Sequence, residues 1–166
     1  LSACLVGSEM WIRDRLTYDG VAISLWYEQG NVVRAVTRGD GTTGEDVRAN
    51  VATIRTLPLQ LQAGAPDPLE IRGEIYFPWP DFEALNLARR EAGEQEFANP
   101  RNTAAGTLKL QDSKVVATRP LDCMIYNVDA QTMSGSEVEC HSEAVAMAKV
   151  WGFKTPEGRR LEVAQS

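Results

Sequence analysis

The chain has 166 residues, with 17 Lys and Arg against 23 Asp and Glu, giving a net charge of −6. Hydrophobic residues make up 43% and charged residues 24%, which excludes a wholly disordered or collagen-like chain and suits one domain with a real core. No apolar run approaches the roughly 18–20 residues of a membrane-spanning helix, and the negative total argues against a generic basic nucleic-acid binder.

Residues 8–15 (SEMWIRDR) mix charge and bulk without a period and resemble translated sequencing-adapter DNA. Residues 1–16 are therefore expected to be a non-native leader. The alternative is a short amphipathic helix over Glu9 to Leu16. Val21, Ile23, Leu25 and Tyr27 alternate with Ala22, Ser24, Trp26 and Glu28, which predicts a strand. Gln29-Gly30-Asn31 reads as a turn and Val32 to Arg38 as a second strand, together an antiparallel hairpin. Gly39 to Gly44 is a glycine-rich loop. Glu45 to Ile54 is expected to be helical, with Val47, Val51 and Ile54 on one face. Leu61 to Pro68 is a loop.

Leu69 to Phe77 (LEIRGEIYF) alternates again. Glu70, Arg72, Glu74 and Tyr76 share the face opposite Leu69, Ile71, Ile75 and Phe77, as a solvated face or the floor of a polar cleft would require. Asp81 after Pro80 is expected to cap a helix ending near Gly93, with Phe82, Leu85, Ala88 and Ala92 inward. Leu121 to Val128 is a further strand. Ser142 is expected to cap a last helix carrying Val145, Ala148 and Trp151 and stopped by Gly152. Charge is uneven: residues 64–96 hold three Arg against eight acids, whereas 97–120 hold four cations against Asp112. The positive stretch contains Asn99-Pro100-Arg101-Asn102 and is a candidate phosphate-facing segment.

Cys4, Cys123 and Cys140 form no CxxC pair, and His141 is the only histidine. Neither a zinc ribbon nor a disulfide framework is supported, and reduced thiols in a cytoplasmic protein are expected. Gly39-Asp40-Gly41-Thr42-Thr43-Gly44 matches G-x-G-x-x-G, which suggests a Rossmann oxidoreductase as one alternative. The context opposes it. The preceding strand carries Arg34 and Arg38 and closes a hairpin, and no acid follows at the required distance.

Three blocks carry a more specific signal: TRGDGTTGEDVRANVATIRTLP (Thr37 to Pro58), LEIRGEIYFP (Leu69 to Pro78) and FANPRNTAAGTLKLQD (Phe97 to Asp112). With YDG (Tyr18 to Gly20) ahead and WGF (Trp151 to Phe153) behind, the chain resembles the adenylation domain of bacterial NAD-dependent DNA ligases over about Asp19 to Phe153. The resemblance implies an α+β, antiparallel-sheet nucleotidyltransferase fold of ATP-grasp-like type, truncated at both ends, with 17–166 a partial adenylation domain. It implies a protein whose lysine attacks the α-phosphate of NAD, with magnesium, and passes AMP to the 5′-phosphate of nicked double-stranded DNA in replication and repair. The implied parent is a cytoplasmic monomer with no membrane partner. The family's zinc module, later lysine motifs and DNA-gripping domains lie outside this sequence. Strands lying beyond Ser166 would leave an exposed sheet edge here.

Residue by residue, Asp19 and Gly20 match the end of the lysine motif. Arg38 matches an arginine at the nucleotide's ribose and phosphate. Glu74 matches the acid of the RGE block, a ribose contact that supports the metal-assisted step. Arg101 matches a phosphate or DNA contact. Tyr126 matches a tyrosine that stacks on adenine, with core packing as an equal alternative. Departures are as informative. Thr17 stands at the position of the nucleophilic lysine, and Arg15 replaces the acid that reads adenine. Lys109 replaces an arginine, keeping the charge and losing the bidentate fork. A threonine hydroxyl without a partnered base is a weak nucleophile, so this chain is expected not to adenylylate itself. A catalytically dead nucleotide- or DNA-binding module is the remaining alternative.

Overall fold

In the computed structural model, residues 18–39, 44–129 and 141–156 are described, apart from the side chains of 141 and 142. The readings of residues 1–16, Thr17, loop positions 40–43, Cys4, Cys140 and the Ser142 cap lie outside the described residues.

Four antiparallel strands form one sheet in the order β2-β1-β3-β4, with β1 at Val21–Glu28, β2 at Asn31–Thr37, β3 at Leu69–Tyr76 and β4 at Asp122–Val128. The alternation read from the sequence is the cause. Ile23, Leu25, Tyr27, Leu69, Ile71 and Ile75 are each at most 2% exposed on one face, while Ala22, Ser24, Arg72 and Glu74 occupy the other. Each large aliphatic side chain withdrawn from water contributes roughly 1.5–3 kcal/mol. A single core joins this sheet face to Val51, Ala104, Leu108, Val116, Ala148 and Trp151.

Hairpin β1–β2 turns on two residues, Gln29 at φ 51° and Gly30 at φ 75°. Positive φ at both positions matches the twist of a tight hairpin, and Gly30 adopts it freely. The Gln29 amide donates to Asp67 Oδ1 at 2.8 Å. Among the described residues the sheet is all antiparallel, with a hairpin before the glycine loop, and holds no parallel strand-helix-strand unit of the Rossmann kind.

The helices depart from expectation. Only Arg48–Val51 is helical (α1), shorter than the expected 45–54. The preceding residues are extended along the β2 edge: Thr37 N–H donates to Glu45 O at 3.0 Å, and Val47 N–H to Ala35 O at 2.9 Å. Helix α2 spans Trp79–Glu91 and begins at Pro78, so Asp81 lies in its first turn instead of capping it. There the carboxylate still faces the positive end of the helix dipole. Phe82 is its buried residue. Residues 97–120 contain two helices that the charge reading missed, α3 at Pro100–Leu108 and α4 at Ser113–Ala117. Asn99 caps α3 by accepting from Asn102 N–H at 2.7 Å, and Asp112 caps α4 by accepting from Lys114 N–H at 2.9 Å. Helix α5 spans His141–Val150 and ends at Gly152, whose N–H donates to Lys149 O while Phe153 N–H donates to Ala148 O.

The outer edges are partly covered. On the β2 side, Val32 N–H donates to Leu59 O and Leu61 N–H to Gly30 O. On the β4 side, Ile125 N–H donates to Lys154 O at 2.9 Å. Chain segments within this sequence therefore meet part of both outer edges.

Candidate active site

The polar face of the sheet carries a cleft of about 590 Å3 lined by Ser24, Thr37, Arg38, Arg72, Tyr126 and Asn127. Its floor follows from period two: residues on β1 and β3 that alternate with the buried set must point here. Arg38 is placed just past β2, where its N–H still donates to Ala22 O at 2.9 Å.

Glu74 faces Ala22 of β1 and Met124 of β4 in register. The backbone N–H of Gly20 favours the charged form of its carboxylate. Burial raises its pKa and Asp19 adds to the rise, against the lowering effects of Gly20, Arg101 and Arg38. The net shift is upward, so desolvation outweighs the two arginines. Tyr126 is also raised, by burial first and then by Glu74, with Arg38 and Arg72 opposing. Arg38 thus acts electrostatically on both groups.

Asp19 and Gly20 enter from the segment before β1. Gly20 lies so close to β3 that a Cβ there would stand 2.1 Å from Ile75 O. Arg101 Nη1 is 3.4 Å from Asp19 Oδ1, both side chains being well exposed. Arg101 sits in the first turn of α3, which the preceding segment anchors. Asn86 and Phe97 exchange two hydrogen bonds, at 2.8 and 3.0 Å, and the Phe97 ring lies against the guanidinium groups of Arg89 and Arg119 at 4.4 and 5.4 Å.

Five of the seven site residues expected from sequence therefore converge: Asp19, Arg38, Glu74, Arg101 and Tyr126. Tyr126 is 38% exposed, which removes it from the core. Lys109 is elsewhere. It ends α3, lies 3.4 Å from Glu45 Oε1, and lines a separate groove of about 420 Å3. Thr17 lies outside the described residues. Arg72 was visible as a charged strand residue but not chosen, although its spacing of two from Glu74 puts both on one face. Tyr18, Tyr76, Asp122 and Lys154 were missed; nothing in a single sequence marks an aspartate at the head of an apolar strand as part of a network.

Among the described residues, no group of three His, Cys, Asp or Glu could hold a metal ion. No helix among them is long and apolar enough to cross a membrane. Cys123 is buried and free, and burial pushes its thiol pKa strongly up. The cleft joins the cations Arg38 and Arg72 with the accessible face of Tyr126, and the partly buried Glu74 carboxylate acts on Tyr126. That combination suits an anion carrying a planar ring.

Comparison with known proteins agrees with this chemistry. The family model for the NAD-dependent DNA ligase adenylation domain matches residues 8–165. The DNA ligase of Flavobacterium psychrophilum is 47% identical over 146 residues, covering 88% of this chain and 22% of the relative. That of Phocaeicola vulgatus is 52% identical over 142 residues, covering 84% and 21%. That of Halalkalibacterium halodurans is 47% identical over 159 residues, covering 95% and 23%. The chain thus spans about a fifth of the length of these curated relatives.

Proposed function

The chain belongs to the NAD-dependent DNA ligase adenylation domain family, and on that premise we propose that it is the nucleotidyl-transfer part of an enzyme that seals nicks in double-stranded DNA. The observation that carries this reading is the electrostatic coupling of five separate segments: Arg38 and Tyr126 line the polar cleft, Glu74 acts on Tyr126, and Arg38, Arg101 and Asp19 act on Glu74.

Each group has a task in that chemistry. Arg38 and Arg101 hold phosphate oxygens of NAD, which is the AMP donor and hence a substrate. The Tyr126 ring offers its face to adenine. Glu74 accepts a ribose hydroxyl. With the exposed Asp19 acting on it, its carboxylate would also suit a magnesium ion, which is commonly held by one or two carboxylates together with substrate phosphates. The metal supplies charge neutralisation on the phosphates. Asp19 keeps Arg101 turned toward the segment that follows position 17. Lys109, apart from the cleft, is available as a point charge for a DNA phosphate once it leaves Glu45.

Position 17 decides whether transfer occurs. An amine there attacks the α-phosphate, releases nicotinamide mononucleotide and carries AMP to the 5′-phosphate of the nick. Threonine does not form that nitrogen–phosphorus bond, so this chain binds without transferring. The ATP-grasp-like classification of the fold, the leader reading of residues 1–16, and a monomeric, cytoplasmic parent belong to the same proposal. Thr17 itself favours one second reading, a nucleotide- or DNA-binding module without transfer.

The test is nick sealing by the full-length parent carrying Thr17→Lys, with and without NAD. NAD-dependent joining of a labelled nicked duplex supports the ligase. No joining by this variant, with retained nucleotide binding, favours the binding module.

A further inference from the structure

One polar cluster lies outside the cleft and ties four segments together. Asp122, at the head of β4, is 7% exposed, yet four donors reach its carboxylate. Thr56 Oγ1 donates to Oδ1 at 2.6 Å, the Cys123 N–H donates to Oδ1 at 2.8 Å, Tyr76 Oη donates to Oδ2 at 2.8 Å, and Lys154 Nζ donates to Oδ2. Lys154 Nζ also donates to Tyr76 Oη at 3.3 Å and lies 5.9 Å above the Tyr76 ring centroid. The Lys154 carbonyl is fixed in turn by Ile125 N–H. A carboxylate with this many donors is satisfied and rigid.

The cluster ends at the site. The Tyr76 ring packs against the ring of Tyr18 with centroids 4.9 Å apart and planes tilted by 38°. Tyr18 is bonded to position 17, and the next two residues are the Asp19 that meets Arg101 and the Gly20 that packs directly on the β3 backbone at Ile75. Whatever fixes the Tyr76 ring therefore fixes one side of the segment that follows the reactive position. Since transfer demands close alignment of attacking group and phosphate, small displacements there carry a large rate penalty.

We propose that Asp122 and Lys154 are positioning residues: they clamp the Tyr76 hydroxyl, so that the Tyr76 ring holds Tyr18, and with it Asp19 and Gly20, against β3. They touch no substrate. Their link to transfer rests on the function proposed above; their link to the Tyr18–Gly20 segment does not.

Hydrogen exchange of the 166-residue chain tests the second link directly. In Asp122→Ala or Lys154→Met the Gly20 amide is expected to exchange at least tenfold faster, while the central-strand amides of Leu25 and Ile71 keep their protection. Tyr76→Phe, which keeps the ring but removes the clamped hydroxyl, is expected to give a comparable increase. Unaltered Gly20 exchange overturns the proposal, as does an equal loss at Gly20, Leu25 and Ile71, which would mark general destabilisation. In the full-length parent carrying Thr17→Lys, Asp122→Ala is expected to slow AMP-adduct formation about tenfold with KM for NAD changed less than twofold, while sealing of a pre-adenylylated nick is retained. Equal slowing of both steps overturns the positioning role. If that parent forms no adduct while Gly20 exchange still responds, the proposed function fails and the clamp stands.

Discussion

Asp19 and Arg101 meet at 3.4 Å although 82 positions separate them in the chain. The pair joins the segment that leads into β1 to the first turn of α3. Both side chains are largely exposed, at 70% and 64%, so the contact adds little to stability. Its value is in orientation. Arg101→Ala is expected to change folding stability by no more than about 0.5 kcal/mol. It should weaken NAD binding about tenfold, the equivalent of roughly 1.5 kcal/mol for one charge-assisted hydrogen bond. Calorimetric titration set beside thermal melting checks both; a large drop in melting temperature would contradict it.

Glu74 is held partly out of water, and burial raises its pKa above its ordinary value. A raised acid stabilises the fold fully below its unfolded pKa and loses that contribution as pH rises through the folded value. Glu74→Gln is therefore expected to melt no lower than the parent at pH 7, with the difference closing toward pH 4. In the full-length parent carrying Thr17→Lys, Glu74→Ala should slow AMP transfer on the order of 10²-fold. Single-turnover kinetics reads this, and an unchanged rate would remove Glu74 from the site.

Gly20 leaves no room for a side chain, because a Cβ would sit 2.1 Å from Ile75 O. Gly20→Ala is expected to cost about 3 kcal/mol of stability, since the obstacle is backbone on a central strand. Urea unfolding measures it. A loss below about 0.5 kcal/mol, within the range of an ordinary surface substitution, would contradict this placement.

Asp122 behaves oppositely to Glu74. Burial alone would raise its pKa, but hydrogen bonds from Lys154, Thr56 and Tyr76 outweigh it and hold the group below its ordinary value. A depressed acid contributes stability above its unfolded pKa, near 3.9, and loses it as pH falls through the folded value. Asp122→Asn should cost about 1–2 kcal/mol at pH 7, a figure reduced because Lys154 is half exposed. The gap between variant and parent should close below about pH 4. Melting curves across that range check the sign. Tyr76, half-buried beside Asp122, is pushed up to about 12, so it stays a neutral donor throughout.

The strands were legible because period two survives any context that buries one face: the Ile23, Leu25, Tyr27 series and the Ile71, Ile75 series needed no tertiary information. The helices were less so. Glu45 to Val47 have helix-compatible residues, but the open β2 edge offers their backbone better partners, and tertiary hydrogen bonding won. Helices α3 and α4 hid inside a charged stretch whose true signals were the caps, Asn99 before Pro100 and Asp112 before Ser113. At the site, motif blocks named Asp19, Arg38, Glu74, Arg101 and Tyr126, which the fold couples through Glu74 and the Asp19–Arg101 pair. The same reasoning could not separate Lys109, because its partner Glu45 is 64 positions away and only the fold brings them together. Asp122 was illegible for the same reason: its meaning lies in Thr56, Tyr76 and Lys154, none of them neighbours in sequence.

The central claim is that this cleft transfers AMP only when position 17 carries an amine. Intact-mass measurement after incubation with NAD and magnesium tests it most directly. This chain and its full-length parent with Thr17 are expected to gain no mass, whereas the parent carrying Thr17→Lys gains one AMP. A covalent AMP on the Thr17 protein, or none on the Thr17→Lys variant while it still binds NAD, would contradict the account.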